Sequence, residues 1–89
     1  MEREVVVLNE SGLHARPATI LVYNANKFKS NITIEKDGKK VNAKSILFVL
    51  SLGVSSGTKI KISADGVDEE KAVDTLVKLI ENNFISGRK

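Results

Sequence analysis

The residues best suited to chemistry in this chain lie in one short segment, from Gly12 to Ala18. The segment holds the only histidine and the only proline of the 89 residues, His14 and Pro17, with Arg16 between them. Proline is tolerated in the first turn of a helix, where its missing N–H costs no hydrogen bond. The spacing therefore predicts a helix that begins at or just after Ala15. An imidazole, a guanidinium and unpaired backbone N–H groups at one helix N-terminus would suit a phosphoryl group that is covalently held and then given away.

The same residues have simpler structural interpretations. A single histidine near a helix start is often no more than a cap or a surface residue. An arginine two positions further on is usually solvated. The presence of Pro17 beside His14 and Arg16 favours the phosphate interpretation, and so do the patterns in the rest of the chain.

The composition argues against several other kinds of site. The chain has no cysteine and one histidine, so we expect no disulfide, no metal site and no other cofactor. No apolar run reaches transmembrane length, and residues 1–4 do not resemble a signal peptide, which predicts a soluble, cytoplasmic protein without membrane insertion. The net charge of +3 leaves nucleic-acid binding as a weak alternative, because the four aromatic residues do not interleave with the lysines.

The hydrophobic pattern predicts seven elements in the order β-α-β-β-α-β-α. The first four cover a strand at 5–8, a helix at 17–28, a strand at 32–36 and a returning strand at 39–43. The dipeptide Asp37-Gly38 between the last two is typical of a two-residue hairpin turn, in which both residues need positive φ.

The second half of the chain predicts a short helix, a strand and a longer helix. Ser45 before the apolar run 46–50 and Gly53 after it are typical N-cap and C-cap residues, although the run is also compatible with a strand. Residues 59–64 alternate as a strand should, and Asp68 is expected to cap a final helix. The apolar stripe of that helix consists of Ala72, Val73, Leu76, Leu79 and Ile80. These elements imply an α+β fold in which helices cover one face of a sheet.

Two segments of the chain resemble HPr, the histidine-containing phosphocarrier family of the bacterial phosphoenolpyruvate:sugar phosphotransferase system. They are residues 12–18 and residues 42–47 continuing through 50–53, with a weaker match at 62–66. The resemblance covers residues 2 to about 83, so 1–89 are expected to form a single domain with a short, frayed tail at about 84–89. It implies an open-faced β-sandwich with a four-stranded antiparallel sheet of strand order 1-4-2-3 and three helices on one face. The residue pattern alone leaves the order of the outer strands open.

The resemblance also implies roles for the residues of the first segment. His14 would accept a phosphoryl group from phospho-enzyme I and pass it to sugar-specific IIA domains. Arg16 would clamp the phosphate, Pro17 would set the helix start, and Ala15 would offer its backbone N–H and leave room for a partner. The protein would then be a stoichiometric carrier that works as a monomer, rather than a turnover enzyme.

The second segment resembles the low-GC Gram-positive branch of the family. That likeness implies phosphorylation of Ser45 by HPr kinase/phosphorylase, and binding of the phosphorylated form to a catabolite-control repressor. The alternative for Ser45 is a helix cap with no regulatory role. We expect a docking surface for partners beside His14, and its candidate residues are Thr19, Ile20, Leu47, Phe48 and Leu50. Phe48 departs from the family, whose Gram-positive members usually have glycine at that position.

Two other functions remain open at this point. One is a purely regulatory protein that acts through Ser45, although family relatives of that kind lack the histidine, whereas this chain has both His14 and Arg16. The other is an HPr module that serves a dihydroxyacetone-kinase or nitrogen-type phosphorelay, with the same chemistry and different partners.

Overall fold

The computed structural model describes residues 1–84 and contains the seven predicted elements in the predicted order. The strands are β1 (Glu2–Val7), β2 (Asn31–Lys36), β3 (Lys39–Asn42) and β4 (Thr58–Asp65). The helices are α1 (Ala15–Ala25), α2 (Ile46–Ser51) and α3 (Glu69–Glu81). The apolar run at 46–50, which is compatible with either structure, is therefore helical. Most of the predicted tail, residues 85–89, lies outside the described residues.

The four strands form one antiparallel sheet in the order β1-β4-β2-β3, which confirms the order implied by the family resemblance. The β2–β3 hairpin places Lys36 opposite Lys39. Asp37 and Gly38 connect the two strands with φ values of 50° and 83°, as the sequence predicts. The central positions of the sheet thus go to β4 and β2, which are far apart in the chain.

A single hydrophobic core lies between the sheet and the three helices. Each strand sends alternate apolar side chains to this face, and the predicted stripe of α3 packs onto them, with Leu79 only partly buried. Buried side chains from the strands include Val5, Val7, Ile32, Ile34, Ile60 and Ile62. Phe84, which we expected at the start of the tail, is 7% exposed and belongs to this core. Within residues 1–84 no helix has the length and apolar character needed to cross a membrane.

Helix α1 ends three residues earlier than the apolar spacing predicts, at Ala25 instead of Phe28. Asn26 forms the C-cap, and its side-chain Nδ2 donates to the carbonyls of Val22 at 2.9 Å and Lys44 at 3.1 Å. Asparagine side chains compete with the helix for backbone groups, which favours a helix end at this point. Phe28 still packs against the core from the turn that follows.

Asp68 precedes α3 as predicted, but its carboxylate does not cap the helix. The carboxylate instead accepts hydrogen bonds from Ser30 Oγ at 2.5 Å and from the backbone N–H groups of Lys29 and Ser30 at 2.9 and 3.0 Å. These donors, the Ser30 hydroxyl first, stabilise the ionised form and lower the pKa of Asp68 to about 2. Asp68 therefore joins the start of α3 to the segment that leads into β2.

Candidate functional site

His14 lies at the N-cap of α1, directly before the first helical residue. Its backbone is extended, with φ −125° and ψ 161°, and its side chain makes no capping hydrogen bond. The side chain is exposed to solvent. His14 therefore occupies the N-cap position without a side-chain capping hydrogen bond, and its imidazole is accessible from solvent.

The first turn of α1 surrounds His14 with groups that favour an anion. Ala15 has a φ of +48°, a conformation that costs an L-residue about 1–2 kcal/mol and turns the chain sharply into the helix. The N–H groups of Ala15 and Arg16 have no acceptor within the helix, and Pro17, the third helical residue, has no N–H to satisfy. The Arg16 side chain is exposed and forms no salt bridge with any residue in 1–84. A guanidinium in this state can bind two oxygens of one phosphate.

The segment before His14 is held against the loop that follows α2. Leu13 is fully buried, and its N–H donates to the carbonyl of Val54 at 2.9 Å. Gly12 has a φ of +62°, and a Cβ at this position would lie 2.3 Å from the Val54 oxygen. Asn9 Nδ2 donates to the Gly12 carbonyl at 2.9 Å. Asn9 was not among the predicted site residues, although asparagine in a turn cluster often bonds to nearby backbone in this way.

Ser45 forms the N-cap of α2, and its Oγ accepts a hydrogen bond from the N–H of Phe48 at 3.4 Å. The prediction of a capping serine is confirmed. The neighbouring Lys44 donates through Nζ to the carbonyl of Phe28 at 2.7 Å, and its own carbonyl accepts from Asn26. The start of α2 thus lies beside the end of α1.

The two candidate modification sites lie at opposite ends of the α1–α2 pair. Ser45 is beside the C-terminal end of α1, whereas His14 is at its N-terminal end, next to the loop that follows α2. The eleven residues of α1 span roughly 15 Å at a rise of about 1.5 Å per residue. Ser45 and His14 therefore occupy separate positions along one surface.

Helix α2 presents an apolar face to solvent between these positions. Leu47 is 76% exposed and Phe48 is 56% exposed, whereas Val49 is fully buried. Leu50 is 36% exposed. On α1, Thr19 is exposed, while Ile20 is half-buried and packs against the core. The prediction that part of this apolar run is exposed is confirmed, and exposed patches of this kind are typical of binding surfaces.

The two chain segments that contain α1 and α2 carry cations and no acidic residue of their own. Residues 11–30 and 43–57, which contain both helices and their flanking loops, include no aspartate or glutamate. They include four cations, which are Arg16, Lys27, Lys29 and Lys44. The eleven acidic residues of the chain all lie outside these two segments. A partner with carboxylates around an apolar centre would complement this surface.

Two features of residues 1–84 are therefore available to a partner. The side chains of His14 and Arg16 are exposed at the start of α1, and α2 has an apolar exposed face. Comparison with known proteins shows the family to which this chain belongs. The family model described as "PTS HPr component phosphorylation site" matches residues 1–82. The chain therefore belongs to the HPr family of the phosphotransferase system.

Individual members of the family are similar over nearly the whole chain. The structure of HPr-C-His from Thermoanaerobacter tengcongensis superimposes with a TM-score of 0.93 at 53% identity and covers 100% of this chain and 98% of its own. The HPr-like protein Crh of Halalkalibacterium halodurans is 49% identical over 81 residues, 91% of this chain and 96% of that protein. A structure of an HPr dimer from T. tengcongensis has 56% identity and a TM-score of 0.77, and covers 90% of this chain and 92% of its own.

Proposed function

We propose that this protein is a phosphoryl carrier that accepts a phosphoryl group on His14 from phospho-enzyme I and passes it to sugar-specific IIA domains. It acts as a stoichiometric carrier without a cofactor, in the cytoplasm, and Ser45 is its regulatory phosphorylation site in carbon catabolite control. The proposal combines membership of the HPr family with the geometry of the first turn of α1.

The observation that carries the proposal is that the side chains of His14 and Arg16 are exposed and make no contacts that would occupy them within residues 1–84. Both side chains are exposed on the first turn of one helix, and neither forms a hydrogen bond or salt bridge within residues 1–84. Purely structural residues at such a position would be expected to satisfy the helix start, as Ser45 does for α2. The two side chains are instead available to a phosphoryl group and its donor.

The transfer requires positioning and charge neutralisation more than acid–base chemistry. A bond forms between a nitrogen of His14 and phosphorus, while the bond from phosphorus to the donor histidine of enzyme I breaks. The guanidinium of Arg16 and the N–H groups of Ala15 and Arg16 offset the charge on the phosphoryl oxygens. In the second transfer His14 is the donor. The bond from His14 to phosphorus breaks while phosphorus bonds to the acceptor group of a IIA domain.

The proposed docking surface consists of Thr19, Ile20, Leu47, Phe48 and Leu50, and the same two chain segments contribute four cations. The exposure of Leu47 and Phe48 and the absence of acidic residues from both segments support this assignment. Enzyme I and the IIA domains would place apolar side chains on α2 and carboxylates around them.

Phosphorylation of Ser45 would add a dianion to the edge of this surface. Because Ser45 lies at the start of a helix, the phosphate is compatible with the helix dipole and would not need to unfold α2. It would alter the charge that a docking partner meets, and we expect slower phosphorylation of His14 as a result. HPr kinase/phosphorylase and a catabolite-control repressor are the partners proposed for this state.

A purely regulatory function through Ser45 is the second candidate. The chain is 49% identical to the HPr-like protein Crh, and a solved structure of Crh from Bacillus subtilis is described as a catabolite repression HPr. The presence of His14 and Arg16 in this chain favours the carrier function over it. A module of a non-sugar phosphorelay would use the same His14 chemistry, and only the donor enzyme would differ.

The test is intact-mass spectrometry after incubation with enzyme I and phosphoenolpyruvate, with His14→Ala as the control. A gain of one acid-labile phosphoryl group in the native protein and none in the variant is the expected result. No gain with an enzyme I that phosphorylates another HPr would contradict the carrier function. Addition of ATP and HPr kinase, with Ser45→Ala as the control, then tests the regulatory function, and sedimentation before and after phosphorylation tests the expected monomer.

A further inference from the structure

Lys36, the last residue of β2, makes contacts that its position on a strand does not require. Its Nζ donates to the carbonyl of Gly53 at 2.9 Å and to the carbonyl of Leu52 at 3.2 Å. These two residues immediately follow α2, and the side chain of Lys36 is half-buried over them. One ammonium group therefore joins the end of the β2 strand to the end of a helix.

The two carbonyls that Lys36 contacts belong to the C-cap of α2, Leu52, and to the residue after it. The last carbonyls of a helix have no partner within it, and a nearby cation also complements the negative end of the helix dipole. Helix α2 has no basic residue in its own last turn. Lys36 supplies from another element the cation that the helix itself lacks.

The contact lies next to the backbone that holds His14. Val54 directly follows Gly53, is fully buried, and accepts the hydrogen bond from the N–H of Leu13 at 2.9 Å. Leu13 directly precedes His14. A short path therefore runs from the ammonium of Lys36 through the Gly53–Val54 backbone and one hydrogen bond to the residue before the phosphoryl acceptor.

We propose that Lys36 is a positioning residue for the phosphoryl-acceptor site. Its ammonium fixes the end of α2, and the fixed Val54 carbonyl in turn holds Leu13 and with it the backbone of His14. Lys36 itself touches neither the phosphoryl group nor His14. The part of this proposal that concerns transfer depends on the proposed function, whereas the part that concerns the Leu13 hydrogen bond does not.

The test compares Lys36→Met with Lys39→Met. Methionine keeps the aliphatic length of the side chain and removes the charge and the donors. Lys39 is the residue directly opposite Lys36 in the β2–β3 hairpin, and its side chain is exposed without a hydrogen bond or salt bridge in residues 1–84. Both variants therefore remove one positive charge from the same end of the hairpin, and only one removes the contact to α2.

The first measurement is amide hydrogen exchange of Leu13 by NMR, in the protein without any phosphoryl group. Exchange at Ile62 in the central strand β4 serves as the reference for global stability. Relative to that reference, Lys36→Met should raise the exchange rate of Leu13 by roughly tenfold, the scale of one charge-assisted hydrogen bond. Lys39→Met should leave the ratio unchanged. If the ratio of the Leu13 to the Ile62 exchange rate is the same in the two variants, the proposal is overturned.

The second measurement is phosphorylation by enzyme I at varied concentrations of each variant. Lys36→Met should lower kcat several-fold with little change in KM, because the exposed face of α2 is intact and the acceptor is less well held. A kcat equal to that of Lys39→Met would overturn the positioning role. If the native protein accepts no phosphoryl group at all, the proposed function fails, and the exchange ratio at Leu13 still decides whether Lys36 holds this segment.

Discussion

Substitution of Gly12 by alanine should destabilise the protein far more than the same substitution at Gly53. The two glycines have nearly the same φ, +62° and +63°. They differ in the space around them. A Cβ at Gly12 would lie 2.3 Å from the Val54 oxygen and 2.8 Å from Ser55 Cα, whereas a Cβ at Gly53 would meet no atom within 4 Å. The pair therefore separates the cost of a close approach from the cost of a left-handed conformation.

The magnitudes follow from these two costs. At Gly53, alanine incurs only the conformational penalty, which we expect to lower the free energy of unfolding by about 1–2 kcal/mol. At Gly12 the same penalty applies, and the clash must also push the loop at Val54 away. Overpacking of this kind costs about 1–3 kcal/mol, and weakening of the hydrogen bond from Leu13 to Val54 adds about 1 kcal/mol. The difference between the two variants should therefore be about 2–4 kcal/mol.

Urea denaturation at neutral pH, followed by circular dichroism, measures this difference. With a slope of about 1 kcal/mol/M for a domain of this size, the midpoint of Gly12→Ala should lie about 2 M or more below that of Gly53→Ala. Midpoints that agree within about 0.5 M would refute the reasoning, because they would mean that the loop at Val54 moves away from the new Cβ without a loss in the free energy of unfolding. The Leu13 amide should also lose protection against exchange in Gly12→Ala and keep it in Gly53→Ala.

Three further predictions concern individual side chains. Arg16→Gln should lower kcat for phosphorylation by enzyme I about tenfold or more, because one charge-assisted contact to the phosphoryl group is lost, while stability is unchanged by urea denaturation; an unchanged kcat would show that Arg16 does not bind the phosphate. Ser45→Ala should lower the free energy of unfolding by about 0.5–1 kcal/mol through loss of the α2 cap, and an unchanged urea midpoint would contradict the capping role. The stability that Asp68 contributes should be fully present above its unfolded pKa of 3.8 and should be lost as the pH falls through the folded value of about 2. Urea midpoints of the native protein and Asp68→Asn should accordingly converge across that pH range, and a constant difference down to the lowest pH would contradict the assignment.

Local features of this chain follow directly from its residues. The hairpin turn is an example, because only a few dipeptides adopt positive φ at two successive positions, and Asp37-Gly38 does so at 50° and 83°. The start of α1 near His14 follows from Pro17, and the capping of α2 by Ser45 follows from the preference of serine for that position. Each of these depends on residues within a few positions of one another.

Contacts between distant residues could be established only from the tertiary structure. Asp68 has the residue type of a helix cap, yet its carboxylate binds Ser30, 38 residues away in the chain. Helix α1 has apolar spacing through Phe28, yet it ends at Ala25, where Asn26 reaches the carbonyl of Lys44. In both cases the side chain bonds to a segment that is distant in the chain, and the residue pattern around Asp68 or Asn26 contains no sign of that partner.

The candidate site also combines residues that can be predicted locally with contacts that only the tertiary structure makes. His14, Arg16 and Pro17 are recognisable from residue type and spacing alone, because their chemistry and the helix start are local properties. The backbone that holds them is set by the approach of Gly12 to Val54 and by Lys36 at the end of α2. Those contacts exist because the fold brings the loop after α2 against both the end of β2 and the segment before α1. The sequence by itself thus determined which groups are the candidates for the chemistry, and the tertiary structure decided which contacts hold their backbone, since hydrogen bonds and close packing between distant segments depend on how the chain folds.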